Sequence, residues 1–142
     1  MPEAVFYVLG PQSPTDQVCF RLVSKAWSTR RSLLIWCDDR SQAEQYDELL
    51  WGYEPERFLP HSLLDQDYPK RTPPILIGWN GLGDLPKAHV VLNRAQHPWP
   101  DTSSHERIME LVDGEESQRQ KRRQFWKTYQ QRGWICSSHQ LP

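Results

Sequence analysis

The chain has 142 residues, 17 basic against 18 acidic, with 37% hydrophobic residues. That length suits one domain built on a single core, spanning residues 1–142. The near-zero charge argues against a general polyanion binder, which carries positive charge across the whole domain. No apolar run approaches the roughly 18 residues of a membrane-spanning helix.

Residues 1–10, MPEAVFYVLG, have no basic segment ahead of their short apolar run, so no secretory signal is expected and the reading is cytoplasmic. Within them, residues 4–9 form a β-prone apolar stretch that GPQSP interrupts. Thr15 or Asp16 can then cap a helix running to about Thr29. Val18, Leu22 and Ala26 share one face, with Cys19, Val23 and Trp27 beside them. Residues 32–37, SLLIWC, read as a second strand that is apolar throughout. Asp38-Asp39 closes it, and Asp39 or Ser41 can cap a helix to about Trp51, with Ala43, Tyr46, Leu49 and Leu50 inward. Further strands are expected at 75–78, 89–93 and 107–112, and a last helix at 118–132. Continuously apolar strands separated by helices predict an α/β fold: a Rossmann-like three-layer domain with a mostly parallel sheet.

Such a fold invites a search for nucleotide chemistry. The first turn, Gly10-Pro11-Gln12-Ser13-Pro14, is not G-x-G-x-x-G, and its two prolines remove donors that a pyrophosphate would need. GxxxxGK[ST] is absent, and GWNGLG at 78–83 reads as a turn. Asp38-Asp39 reads as a capping turn rather than a ribose or metal site. Cys19, Cys37 and Cys136 are widely spaced without CxxC, and the five His show no ligand spacing. Cys19 and Cys37 read as buried apolar residues. No nucleophile and base can be paired. Neither a cofactor nor a metal is expected, and a catalytic role is disfavoured.

The distinctive segment is QRQKRRQFWKTYQQR at 118–132, where Arg119, Lys121, Arg122, Arg123 and Lys127 surround Phe125, Trp126 and Tyr129. Arg119, Arg123 and Lys127 recur every four residues, so they stack on one helix face with Trp126 beside them. A local basic-aromatic stripe on a near-neutral chain suits an acidic ligand with an apolar tip. A solvated basic face is the plainer alternative. Seven Trp exceed what one core needs, and spare large aromatics favour interfaces. Trp51 ends a helix, and Phe58 sits in the Pro-rich loop YEPERFLP, poorly placed to reach a core. The competing reading folds both back as a small satellite cluster.

Several motifs recur in order: Phe6-Tyr7-x-Leu9, Cys37-x-Asp39, Asp47-Glu48-Leu49-Leu50-Trp51 and Phe58-Leu59-Pro60-His61. Val112-Asp113 and the closing Arg119-x3-Arg123-x2-Trp126-Lys127-x-Tyr129-x3-Gly133 complete them. The series resembles the chi subunit family of bacterial DNA polymerase III along nearly the whole chain. The resemblance implies a Rossmann-like fold without nucleotide chemistry and a non-catalytic adaptor of the replicase. Its implied partners are the psi subunit, which links to the clamp loader, and the acidic C-terminal tail of single-stranded-DNA-binding protein, which ends in Pro-Phe. DNA would be reached only indirectly. In the family the tail site maps to Arg119, Arg123, Trp126 and Lys127, with Tyr in place of Trp126, and the psi-facing patch maps to Trp51 and Phe58. Family members carry a longer, more apolar segment where this chain has Gly114-Glu115-Glu116. In some members an accessory helicase competes for the psi patch. The rival classes are a direct nucleic-acid binder using the basic helix and a nucleotide-dependent enzyme on the same scaffold.

Overall fold

The computed structural model describes residues 2–54, 59–65, 74–82, 87–100 and 105–142. Among them, seven strands and three helices follow the order β1 (Glu3–Val8), α1 (Thr15–Ser28), β2 (Leu33–Cys37), α2 (Arg40–Gly52), β3 (His61–Leu63), β4 (Ile75–Trp79), β5 (Val90–Asn93), β6 (Arg107–Val112), α3 (Glu116–Gln131) and β7 (Ile135–Gln140). The strands form one sheet in the order β3-β4-β2-β5-β6-β1-β7, and every neighbouring pair is parallel.

Strand alternation sorts the core into two layers. Leu33, Ile35, Ile75, Ile77, Leu92 and Leu111 turn to the face covered by α1 and α2. Leu34, Leu76, Val91, Ile108 and Val112 turn to the other face, covered by Phe125 and Tyr129 of α3 together with Trp99. Strands buried on both faces must be apolar at every position, which is why LLIWC is buried throughout. The expected three-layer α/β fold is therefore the observed one.

The helix starts differ in part from expectation. Asp39 caps α2: its Oδ1 accepts the Gln42 N–H at 2.9 Å, while Gln42 Oε1 accepts the Asp38 N–H at 2.7 Å. At α1 neither Thr15 nor Asp16 caps; Pro14 occupies the cap position, and Thr15 Oγ1 donates instead to Asp113 at 2.8 Å. Trp27 is exposed, because α1 turns Ala26 rather than Trp27 toward the sheet. Two strands were not expected from sequence: the three-residue β3 and the polar β7. Gly133, with φ +82°, ends α3 in a left-handed turn, its N–H donating to Gln130. Trp134 N–H reaches back to the Tyr129 carbonyl, so β7 starts directly beneath the helix it follows.

At the carboxyl ends of the strands, where this architecture places nucleotides, the chain pairs with itself beside a pocket of about 170 Å³ lined by Asp16, Gln42, Gln45, Tyr46 and Leu49. Arg94 Nη2 meets Asp113 at 2.9 Å and its Nε meets the Tyr46 hydroxyl at 2.8 Å. The Gln12 N–H donates to the Pro142 carbonyl at 2.9 Å, and a Cβ at Gly10 would lie 2.4 Å from that same oxygen.

Candidate functional site

α3 lies across β1, β6 and β7, and its residues split by period. Arg122, Phe125 and Tyr129, spaced i, i+3, i+7, face inward and are buried. Arg122 thus lies off the stripe of Arg119, Arg123 and Lys127, on the neighbouring face that its spacing gives it with Phe125 and Tyr129. Its Nη1 is 2.7 Å from Glu110 Oε1 on β6, and Glu110 is fully buried. Glu110 Oε2 accepts from the Tyr129 hydroxyl at 2.6 Å and from Asn93 Nδ2 at 2.8 Å. The Tyr129 hydroxyl accepts the Trp99 N–H at 2.8 Å. Burial pushes the Glu110 carboxyl above its ordinary range, while Arg122 and the hydrogen bonds pull it back. Burial and the Glu110 charge push the Tyr129 hydroxyl up, so it stays a donor. This network fixes the rotation of α3, and hence which side chains it presents outward.

The outward side meets an open pocket of about 230 Å³ lined by Phe6, Val8, Val112, Arg123, Trp126 and Ser138. Phe6, Val8, Val112 and Trp126 make it apolar, and Arg123 supplies one cation at its rim. The Trp126 ring is half-buried, its centroid 5.1 Å from that of Phe6 at 51°. The pocket can thus take an aromatic or aliphatic side chain beside an anionic group. Arg123 Nη1 is 2.9 Å from Glu116 Oε1, both side chains more than half exposed.

Of the four residues that the sequence assigns to this helix face, Arg123 and Trp126 line the pocket. Lys127 is exposed on the next position, outside the lining. The Arg119 guanidinium is engaged elsewhere: Nη2 donates to the Leu9 carbonyl at 2.8 Å and Nε to that of Gly114 at 3.1 Å. Phe6, Val8, Val112 and Ser138 were missed. All four have even numbers on β1, β6 and β7, the parity that faces α3, so pairing these strands with the helix would have found them.

At the opposite edge of the sheet, Trp51 ends α2 at 52% exposed, its ring centroid 4.6 Å from that of His61 on β3. Tyr53 follows at 41% exposed, 5.0 Å from Phe20. Phe58 lies outside the described residues. Cys19 and Cys37 are buried and Cys136 is half-buried. Among the described residues no group of three His, Cys, Asp or Glu could hold a metal ion, and no helix is long and apolar enough to cross a membrane.

A sequence model of the family described as DNA polymerase III chi subunit, HolC, matches residues 1–137. The chain belongs to the DNA polymerase III chi subunit family. It is similar to the DNA polymerase III subunit chi of Pseudomonas aeruginosa, 31% identical over 146 residues that cover 100% of this chain and 99% of the relative. The subunit chi of Haemophilus influenzae is 29% identical over 97% of this chain and 96% of its own length. That of Escherichia coli is 25% identical over 94% and 95%. The chi family match thus takes in the aromatic end of α2 and every lining residue of the α3 pocket except Ser138.

Proposed function

We propose that this chain is a non-catalytic replication adaptor, acting as one domain over residues 1–142 in the cytoplasm. It links the clamp loader of DNA polymerase III, through the psi subunit, to the acidic C-terminal tail of single-stranded-DNA-binding protein. DNA is reached only through that protein. The observation that carries the reading is the pocket between α3 and the β1-β6-β7 end of the sheet: four apolar walls beside Arg123, with Lys127 exposed on the next position. A peptide ending in Phe with a free carboxylate matches it in both size and charge. Trp126 forms one wall, and Arg123 and Lys127 meet the acidic residues. Arg119, bound to two carbonyls, shapes the start of the helix and adds positive potential rather than a direct contact.

The psi partner takes the aromatic end of α2, where Trp51 stands exposed, together with Phe58. Any accessory helicase would compete there rather than at the pocket. A calorimetric titration with an acidic peptide ending in Pro-Phe tests the tail reading, run against the same peptide with its terminal carboxylate amidated. The free acid is expected to bind and the amide to lose most of its affinity. Equal binding of the two would mean that no cation of the site pairs with the terminal carboxylate.

A further inference from the structure

β7 is the last strand of the sheet, and its backbone follows a simple alternation. The Ile135 N–H donates to the Pro2 carbonyl and the Leu141 N–H to that of Val8. In a parallel pair, residues of one parity turn both backbone groups to the partner. Ile135, Ser137 and His139 therefore serve β1, while Cys136, Ser138 and Gln140 turn N–H and C=O outward, where no described strand pairs with them. Sheets usually guard such an edge with a charge, a proline, a bulge or a covering element. The strand ICSSHQ holds neither proline nor Lys, Arg, Asp or Glu, and most of it is exposed.

Ser138, the middle of the three outward residues, also lines the α3 pocket. We infer that the acidic peptide whose terminal side chain fills this pocket also pairs its backbone with the open edge of β7, adding an eighth strand at Cys136, Ser138 and Gln140. The inference rests on the tail-binding reading above. Strand addition supplies affinity through main-chain bonds, and a side-chain pocket beside the strand supplies selectivity. An acidic segment is favoured over a second copy of this chain, because a second copy would bring another Arg123 and Lys127 to an edge that already has them. Five residues at about 3.3 Å each span the three outward positions, so a dipeptide that fills the pocket beside Ser138 is too short to pair with all three.

The test uses a synthetic acidic peptide of about ten residues ending in Phe, with single backbone N-methyl groups placed along it. Affinity is expected to fall roughly tenfold at alternate positions and stay unchanged between them, since one lost main-chain bond is worth about that much. Amide exchange on the full chain is expected to slow at all three of Cys136, Ser138 and Gln140 with this peptide, and at Ser138 at most with Pro-Phe alone. A flat N-methyl scan with normal binding overturns the strand pairing and leaves the pocket reading intact. Failure of every peptide to bind overturns the tail reading as well. Slowing of these amides in the free chain as its concentration rises assigns the edge to a second copy and overturns the inference.

Discussion

Arg122 and Arg123 are adjacent in the chain and opposite in role. Arg122 is buried against Glu110, whereas Arg123 stands at the rim of the pocket, held by Glu116. The rim pair is exposed, so it contributes about 0–1 kcal/mol. Glu116 competes with any acidic ligand for Arg123, and Glu116→Gln is expected to tighten tail-peptide binding by a few-fold. Arg123→Ala and Lys127→Ala should each weaken it by about 1–3 kcal/mol, the range for charge-assisted hydrogen bonds. Calorimetry on the three variants checks both signs. Arg119→Ala should behave differently: it removes two bonds to carbonyls at the β1–α1 turn and the start of α3, so it lowers the Tm where Lys127→Ala does not. The thiols divide the same way. Burial pushes the Cys19 thiol up to about 11 and raises that of Cys37 further, while Cys136 is half-buried. A thiol reagent on native protein should modify Cys136 well before the other two, which become reactive only on unfolding.

Among the elements, α3 and β6 depend on each other. A single carboxylate within the apolar run RIMELV, and a cation in register with Phe125 and Tyr129, were both visible in the sequence. Read together they indicate a buried pair, yet a run of five cations reads more simply as a solvent face. Spacing already sets Arg122 apart from the stripe of Arg119, Arg123 and Lys127, and the placement of α3 over β6 gives it Glu110 as a partner. Glu110→Ala or Arg122→Ala is expected to cost about 3–5 kcal/mol, because each leaves an uncompensated buried charge. The double replacement Glu110→Leu with Arg122→Met should cost much less than the sum of the two, since these residues touch and their effects do not add. Urea unfolding of the three variants measures this. The strands flanked by helices were legible because burial on both faces forces apolar runs. β7 was not, because an edge strand half open to water has no reason to be apolar, and ICSSHQ shows neither alternation nor hydrophobicity. β3 is too short to carry a period. The pocket was half legible for the same reason: its helical wall announces itself by charge and aromatics, while Phe6, Val8 and Val112 look like ordinary strand residues until pairing sets them side by side.

Across the whole molecule, strand order separates the two proposed surfaces. β7, at one edge, borders the α3 pocket, and β3, at the other, meets Trp51. Seven strands leave six spacings of about 4.8 Å, so the edges stand roughly 29 Å apart. Two ligands at that distance need not touch, which is what an adaptor holding both at once requires. The measurement that bears most directly on this is a pair of titrations, psi and the tail peptide, carried out on Trp51→Ala and on Trp126→Ala. The expected pattern is crossed: Trp51→Ala loses about 2 kcal/mol of psi binding and keeps tail affinity, while Trp126→Ala does the reverse. Equal losses of both ligands in either folded variant would contradict two separate surfaces.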